Sequence, residues 1–215
     1  MATATVWSGV QMNFESARGT ALPLSTPFVT NANPGVVTST AHGLTNGAYV
    51  LMLVEGMTEI DARIFRVANV TANTFELEGE NTTDYATCTA GNAYALTFAT
   101  SISTVTDVSV SGGEPNFVPT TTVHSTIETQ VPTTVTPLVY SFTNIWDPGD
   151  SGLIAMKTAL QTKSQKGTLM QFSGGQIVLI FGYPACVIAP AGSGQQLVST
   201  SSAITASNLP TSYAV

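Results

Sequence analysis

The chain has 215 residues, of which 43% are hydrophobic and 9% charged, with 13 acidic against 6 basic side chains and a net charge of −7. That hydrophobic share and low charge exclude a disordered chain, and the acidic balance excludes a protein that holds nucleic acid by neutralising phosphates. The apolar run Ile177 to Phe181 is cut short by Gly182 and Pro184, far from the roughly 20 residues a spanning helix needs. Ser and Thr, with Thr dominant, stand where charge would, and β-branched residues suit a pleated surface. No basic segment leads into an apolar one, so no secretory signal is expected. Cys88 and Cys186 lie far apart in sequence. They make neither a disulfide framework nor a zinc spacing, and free, packed thiols are expected.

Along the chain, Val10, Met12 and Phe14 alternate with polar residues, which predicts a strand. A turn is expected at Ser16-Ala17-Arg18-Gly19, and Pro23 and Pro27 end the first segment. Residues 28–99 read as a compact β module, punctuated by Asn33-Pro34-Gly35 and Asn46-Gly47. Its strands are expected at Val36 to Thr38, Tyr49 to Val54, Ile64 to Val67, Thr74 to Leu77 and Ala93 to Phe98. Most acids sit there, as do Arg63 and Arg66, and this change of composition marks a domain boundary.

Residues 100–215 carry almost no charge outside one helix. A strand begins with Ile102, Val105, Val108 and Val110, and Gly112-Gly113 is a turn. Thr120 to Thr122 and Thr133 to Thr136 flank an open segment, and Leu138 to Phe142 is a further strand. A helix then starts near Asp147 or Asp150, both good N-caps, with Pro148 suited to a first helical position. Leu153, Met156 and Leu160 give it one apolar face, and Gly167 is expected to close it. Two long strands are expected over 168–181 and 185–204, with a bulge or bend at Gly174-Gly175.

No catalytic constellation emerges. His42 sits in a turn-like His-Gly-Leu-Thr-Asn-Gly, and His124 in a Thr/Ser-rich stretch. There is no Gly-x-Ser-x-Gly elbow, no phosphate loop and no dinucleotide fingerprint. Glu55, Glu59 and Asp61 are acidic enough to suggest calcium, but a solvated loop explains them with less. Glu76, Glu78 and Glu80 alternate onto one strand face, where they are expected to guard an exposed edge. Neither an enzyme nor a cofactor is expected. The notable feature is a surface of uncharged hydroxyls with almost no lysine in its strands, so edges are either hidden or meant to pair with other subunits.

The order of elements resembles the major tail protein, or tail tube subunit, of long, non-contractile-tailed phages. The carriers are Thr104 to Val110, Thr120-Thr121-Thr122 with His124-Ser125-Thr126, Leu138 to Phe142, and Trp146-Asp147-Pro148-Gly149-Asp150-Ser151-Gly152. Phe172-Ser173-Gly174, Ala189 to Gly192 and Ser207 to Pro210 continue the likeness, and residues 7–24 are similar to the first strands of the same core. Asn33 to Val37, Ala41 to Gly47 and Val67 to Phe75 are similar to a small β-rich module found in phage structural proteins.

The resemblance implies an all-β fold with one helix, a sandwich or barrel core made of 1–27 and 100–215, and an inserted, outward-facing module at 28–99. It implies hexameric rings that stack into a hollow tube in the virion tail, assembled in the host cytoplasm. Partners would be copies of the chain, the tape-measure, tail-tip and terminator proteins, and DNA that passes without specific binding. No membrane is involved. Asp107, Glu114 and Glu128, facing the lumen, would repel phosphate. Other readings are a virion-surface adhesin or carbohydrate-binding module, with Tyr49, Phe65, Phe75, Tyr85 and Tyr94 as candidate aromatics, and a capsid decoration protein.

Overall fold

The computed structural model describes residues 7–214. Strands are numbered in chain order. The body sheet runs in the spatial order β10 (Val105–Ser111), β13 (Val139–Ile145), β16 (Ser199–Ala206), β15 (Ile177–Cys186), β14 (Lys166–Gln171), β1 (Gln11–Phe14) and β9 (Thr100–Ser101). β17 (Thr211–Tyr213) adds to β15. The second sheet has the order β2 (Ala17–Arg18), β8 (Ala90–Thr97), β5 (Tyr49–Glu55), β6 (Arg63–Ala68), β7 (Thr74–Leu77) and β4 (Val36–Thr38), with β3 (Leu22–Pro23) also on β8. β11 (Pro115–Pro119) and β12 (Gln130–Val135) form a separate hairpin.

Among the described residues the protein is therefore mostly β, with one helix, α1 (Ser151–Gln161). Its layers suit a sandwich-like core, and among the described residues no sheet closes into a barrel. The two ends of the body sheet, β9 and β10, are separated by Ile102 to Thr104 only. A cleft of about 400 Å³ remains beside them, walled by Trp7, Val10 and Met12 on one side and Val105 and Val108 on the other.

Local sequence explains most elements. Met12 and Phe14 are buried on β1, as their alternation predicts. Asp150 caps α1, its carboxylate accepting from the Leu153 backbone N–H at 2.9 Å. Asp147 lies upstream and accepts from the Gly149 N–H at 2.8 Å. Leu153, Met156 and Ala159 turn inward against Phe14, Phe142 and Ile180, while Leu160, expected on that apolar face, is exposed.

Four expectations need correction. Gly167 does not close the helix; it pairs within β14, and Lys163 takes the left-handed backbone (φ 51°) beyond the Thr162 cap. Gly174-Gly175 is a hairpin turn, not a bulge, with Gly175 at φ 88° and its N–H donated to Phe172. The next strand then runs through Gly182 and Pro184 instead of stopping before them. Ala17–Arg18 is a short strand, not a turn, because β8 offers it a partner.

The two sheets share a core. Leu51, Ile64 and Leu96 of the second sheet pack with Leu169, Leu179, Phe181 and Tyr213 of the body. Leu22–Pro23, on the body side of the boundary expected at residue 27, also hydrogen-bonds into the second sheet.

Candidate functional site

Polar groups concentrate where the two sheets meet. Glu15 is the clearest case, with a fully buried side chain. It accepts from Arg18 Nε and Nη2, each at 3.0 Å, from Lys166 Nζ at 3.2 Å and from the Gly167 N–H at 2.7 Å. Arg63 pairs with Glu80 at 2.7 Å and reaches Thr211 at 3.3 Å. Arg66 pairs with Glu78 at 2.6 Å and lies 4.6 Å above the Tyr213 ring. The Asn208 amide donates to the carbonyls of Thr58 and Asp61. Glu15 ties β2 to β14, while the Arg63, Arg66 and Asn208 contacts hold β17 and its flanks against β6 and the residues before it.

Tyr213 is the hinge pin of this junction. Its oxygen accepts the Arg66 backbone N–H at 2.7 Å. Burial pushes its hydroxyl up to about 12, opposed by that same hydrogen bond. The folded chain thus binds the Tyr213 proton more tightly than the unfolded chain, whose tyrosine titrates near 10. The stabilisation is complete below pH 10 and is lost as pH rises from 10 through 12, by about 2–3 kcal/mol for a shift of this size. Urea unfolding at pH 9 and pH 12 should show that loss in the parent and a flatter limb in Tyr213→Phe.

The acids expected to guard an edge do something else. β7 is flanked by β4 and β6, so it is no edge, and Glu78 and Glu80 hold arginines. Glu76 accepts from the Asn69 amide. No group of three side chains that could hold a metal ion occurs among the described residues, and Asp61 instead accepts the Val54 N–H. His42 is buried against Phe75 and takes the Leu44 N–H on Nδ1, which makes it a piece of its turn. Cys88 and Cys186 are free and buried, and burial raises both thiols.

What the surface offers is apolar. The β11–β12 hairpin projects, and every residue of both strands is exposed. Phe117, Val118 and Val131 stand on it, and near its tip Val123 and Ile127 are 96% and 73% exposed, with His124 between them. Trp146, Tyr183, Val187 and Leu197 are further exposed apolar side chains of the body. By contrast, among the described residues no large apolar side chain is exposed between residues 8 and 109. Asp107 lies on β10, Glu114 just before β11 and Glu128 just before β12; all three are exposed and they do not cluster.

A β-sheet body that carries exposed apolar groups on a projecting hairpin and on its own surface suits contacts with other chains. The family of phage tail tube proteins matches residues 55–215, and the chain belongs to that family. It is accordingly a structural protein of the phage tail tube. Among curated proteins none matches the chain. No helix of the described residues is long and apolar enough to cross a membrane.

Sequence reasoning missed the Glu15 and Tyr213 junctions. No signal marked the first, because Glu15 falls on the polar phase of the β1 alternation with Gln11 and Asn13, where an exposed side chain is expected. Tyr213 offered none, since its partner Arg66 lies 147 residues away.

Proposed function

We propose that the chain polymerises into stacked rings, six copies to a ring as the resemblance implies, forming the hollow tube through which DNA leaves the virion. The observation that carries this is the division of the surface. Among the described residues, large exposed apolar side chains occupy the hairpin and the body, while the second sheet has none. Exposed apolar patches mark contact sites, so the body meets other copies and the second sheet stays in solvent. The second sheet, drawn from 17–97 and overlapping most of the expected module 28–99, would project outward. Asp107, Glu114 and Glu128 are the acids that would keep phosphate off the lumen side. Tape-measure, tip and terminator proteins would meet the ends of the tube.

An adhesin reading draws no support from the second sheet. Glycan sites present exposed aromatic faces, whereas Phe65 and Phe75 are fully buried and the Tyr85 hydroxyl is spent on Glu80.

The test removes the arm. Deleting residues 114–135 takes away only exposed positions, so the unfolding free energy of the monomer in urea should change by less than about 1 kcal/mol. Negative-stain microscopy at high concentration should show rings or tubes for the parent and neither for the variant. Tubes from the variant would remove the hairpin from assembly. A parent that never forms rings or tubes would sink the reading itself.

A further inference from the structure

The outer face of the body sheet has an unusual composition. Strand register lays it out in rows. Ser111, Val139, Thr205 and Tyr183 share one row, and Ser109, Ser141, Ala203 and Ala185 the next. Asp107, Thr143 and Ser201 form the third, and Ile145 and Ser199 the last. Tyr140, Phe142, Ile204 and Cys186 are buried on the other side. Strand spacing makes this face roughly 15 Å wide and 20 Å long. It holds hydroxyls and small side chains, one carboxylate and no lysine, arginine or histidine.

We infer that this face of β10, β13, β16 and the end of β15 is the lumen wall, and that DNA passes it against neutral hydroxyls. The inference rests on the tube reading above and adds which surface faces the genome. The chemistry fits a polyanion that must slide. Without cations there is no counterion release to favour binding. A phosphate that trades water for a neutral hydroxyl gains little, because the exchange of hydrogen bonds nearly cancels. Of the three acids, only Asp107 lies in the face; Glu114 and Glu128 lie beyond it, at the base and tip of the hairpin.

The same composition argues against a protein partner on the middle of the face. Interface centres are rich in aromatic residues, Met and Arg, and the two middle rows have none. The apolar side chains stand at its margins, Tyr183 at one end and Ile145 at the other, 51% and 42% exposed. Those margins are where the next copies would continue the wall.

Single cysteines test the placement, because Cys88 and Cys186 are buried. Thr143→Cys and Ser201→Cys report the face, and Ala72→Cys reports the exposed second sheet. Each is treated with N-ethylmaleimide and with a bulky polyethylene-glycol maleimide, first as free subunits and then as tubes. Free subunits should accept both reagents at all three positions. In tubes the small reagent should still reach all three. The bulky one should label Thr143→Cys and Ser201→Cys on the order of tenfold more slowly than Ala72→Cys, since thiol labelling follows access. Equal bulky labelling at all positions in tubes would put the face outside and overturn the inference while leaving the tube intact. Loss of both reagents at Thr143→Cys and Ser201→Cys would bury the face against another copy and overturn it too. Should one substitution block assembly, the other reads the same row.

Discussion

Gly182→Ala is expected to cost 3 kcal/mol or more, beyond the usual range for overpacking a core. Gly182 pairs with Lys166 on one side and Ala206 on the other. It lies where one edge of β15 changes partner, from β17 over Ile177–Leu179 to β16 from Gly182 onward. A Cβ there would run into the Thr205 carbonyl oxygen and sit 2.9 Å from the Ala206 Cα. Both are backbone atoms of a strand hydrogen-bonded on two sides, so neither can swing away. Urea unfolding of the monomer measures the loss, and a midpoint within experimental error of the parent would refute the argument.

Glu15→Ala should be nearly as damaging, at about 3–4 kcal/mol, the range for removing one partner of a buried ion pair. The carboxylate is shared by Arg18 of the second sheet and by Lys166 and Gly167 of the body. Its loss strands two cations and a buried N–H at once. Arg18 and Lys166 are each 29% exposed and regain some water, which keeps the cost below that of a fully enclosed triad. Glu15→Gln tests charge apart from shape. Its amide oxygen still accepts from Gly167, so it should recover part of the loss, and no recovery would show that charge alone matters.

Elements governed by neighbours in sequence were legible. The alternation of Met12 and Phe14 placed β1, and an acidic cap with Leu153 and Met156 placed α1. Errors arose where distant partners decide. Glycine signals stop as well as turn, so Gly167 and Gly182 read as breaks although each sits inside a strand, at a close approach of two backbones or of two sheets. Glu78 and Glu80 read as an edge guard because their arginines on β6 could be placed opposite them only once the strand order was known. The lone apolar residues of the hairpin, Val118, Val123 and Ile127, were visible in sequence. Their exposure was not, since a strand with apolar residues ordinarily buries them. The neutral face of the body was half legible: the sequence shows few charges there, but only register gathers Ser109, Ser141, Thr143 and Ser201 onto one side.

The path of the chain between β1 and β9 bears on how such a protein can be altered. Phe14 pairs with Thr100, and Ser16 donates its N–H to Thr97, so everything in between leaves and returns at one point. In connectivity the second sheet is a very long hairpin loop, and closing a longer loop costs entropy only logarithmically. Topology alone would let it be exchanged for a two-residue turn. Packing forbids that exchange, because cutting it away would expose Leu169, Leu179 and Phe181 to water and take Arg18 from the buried Glu15 carboxylate. Any graft at this point must bring an apolar underside of its own.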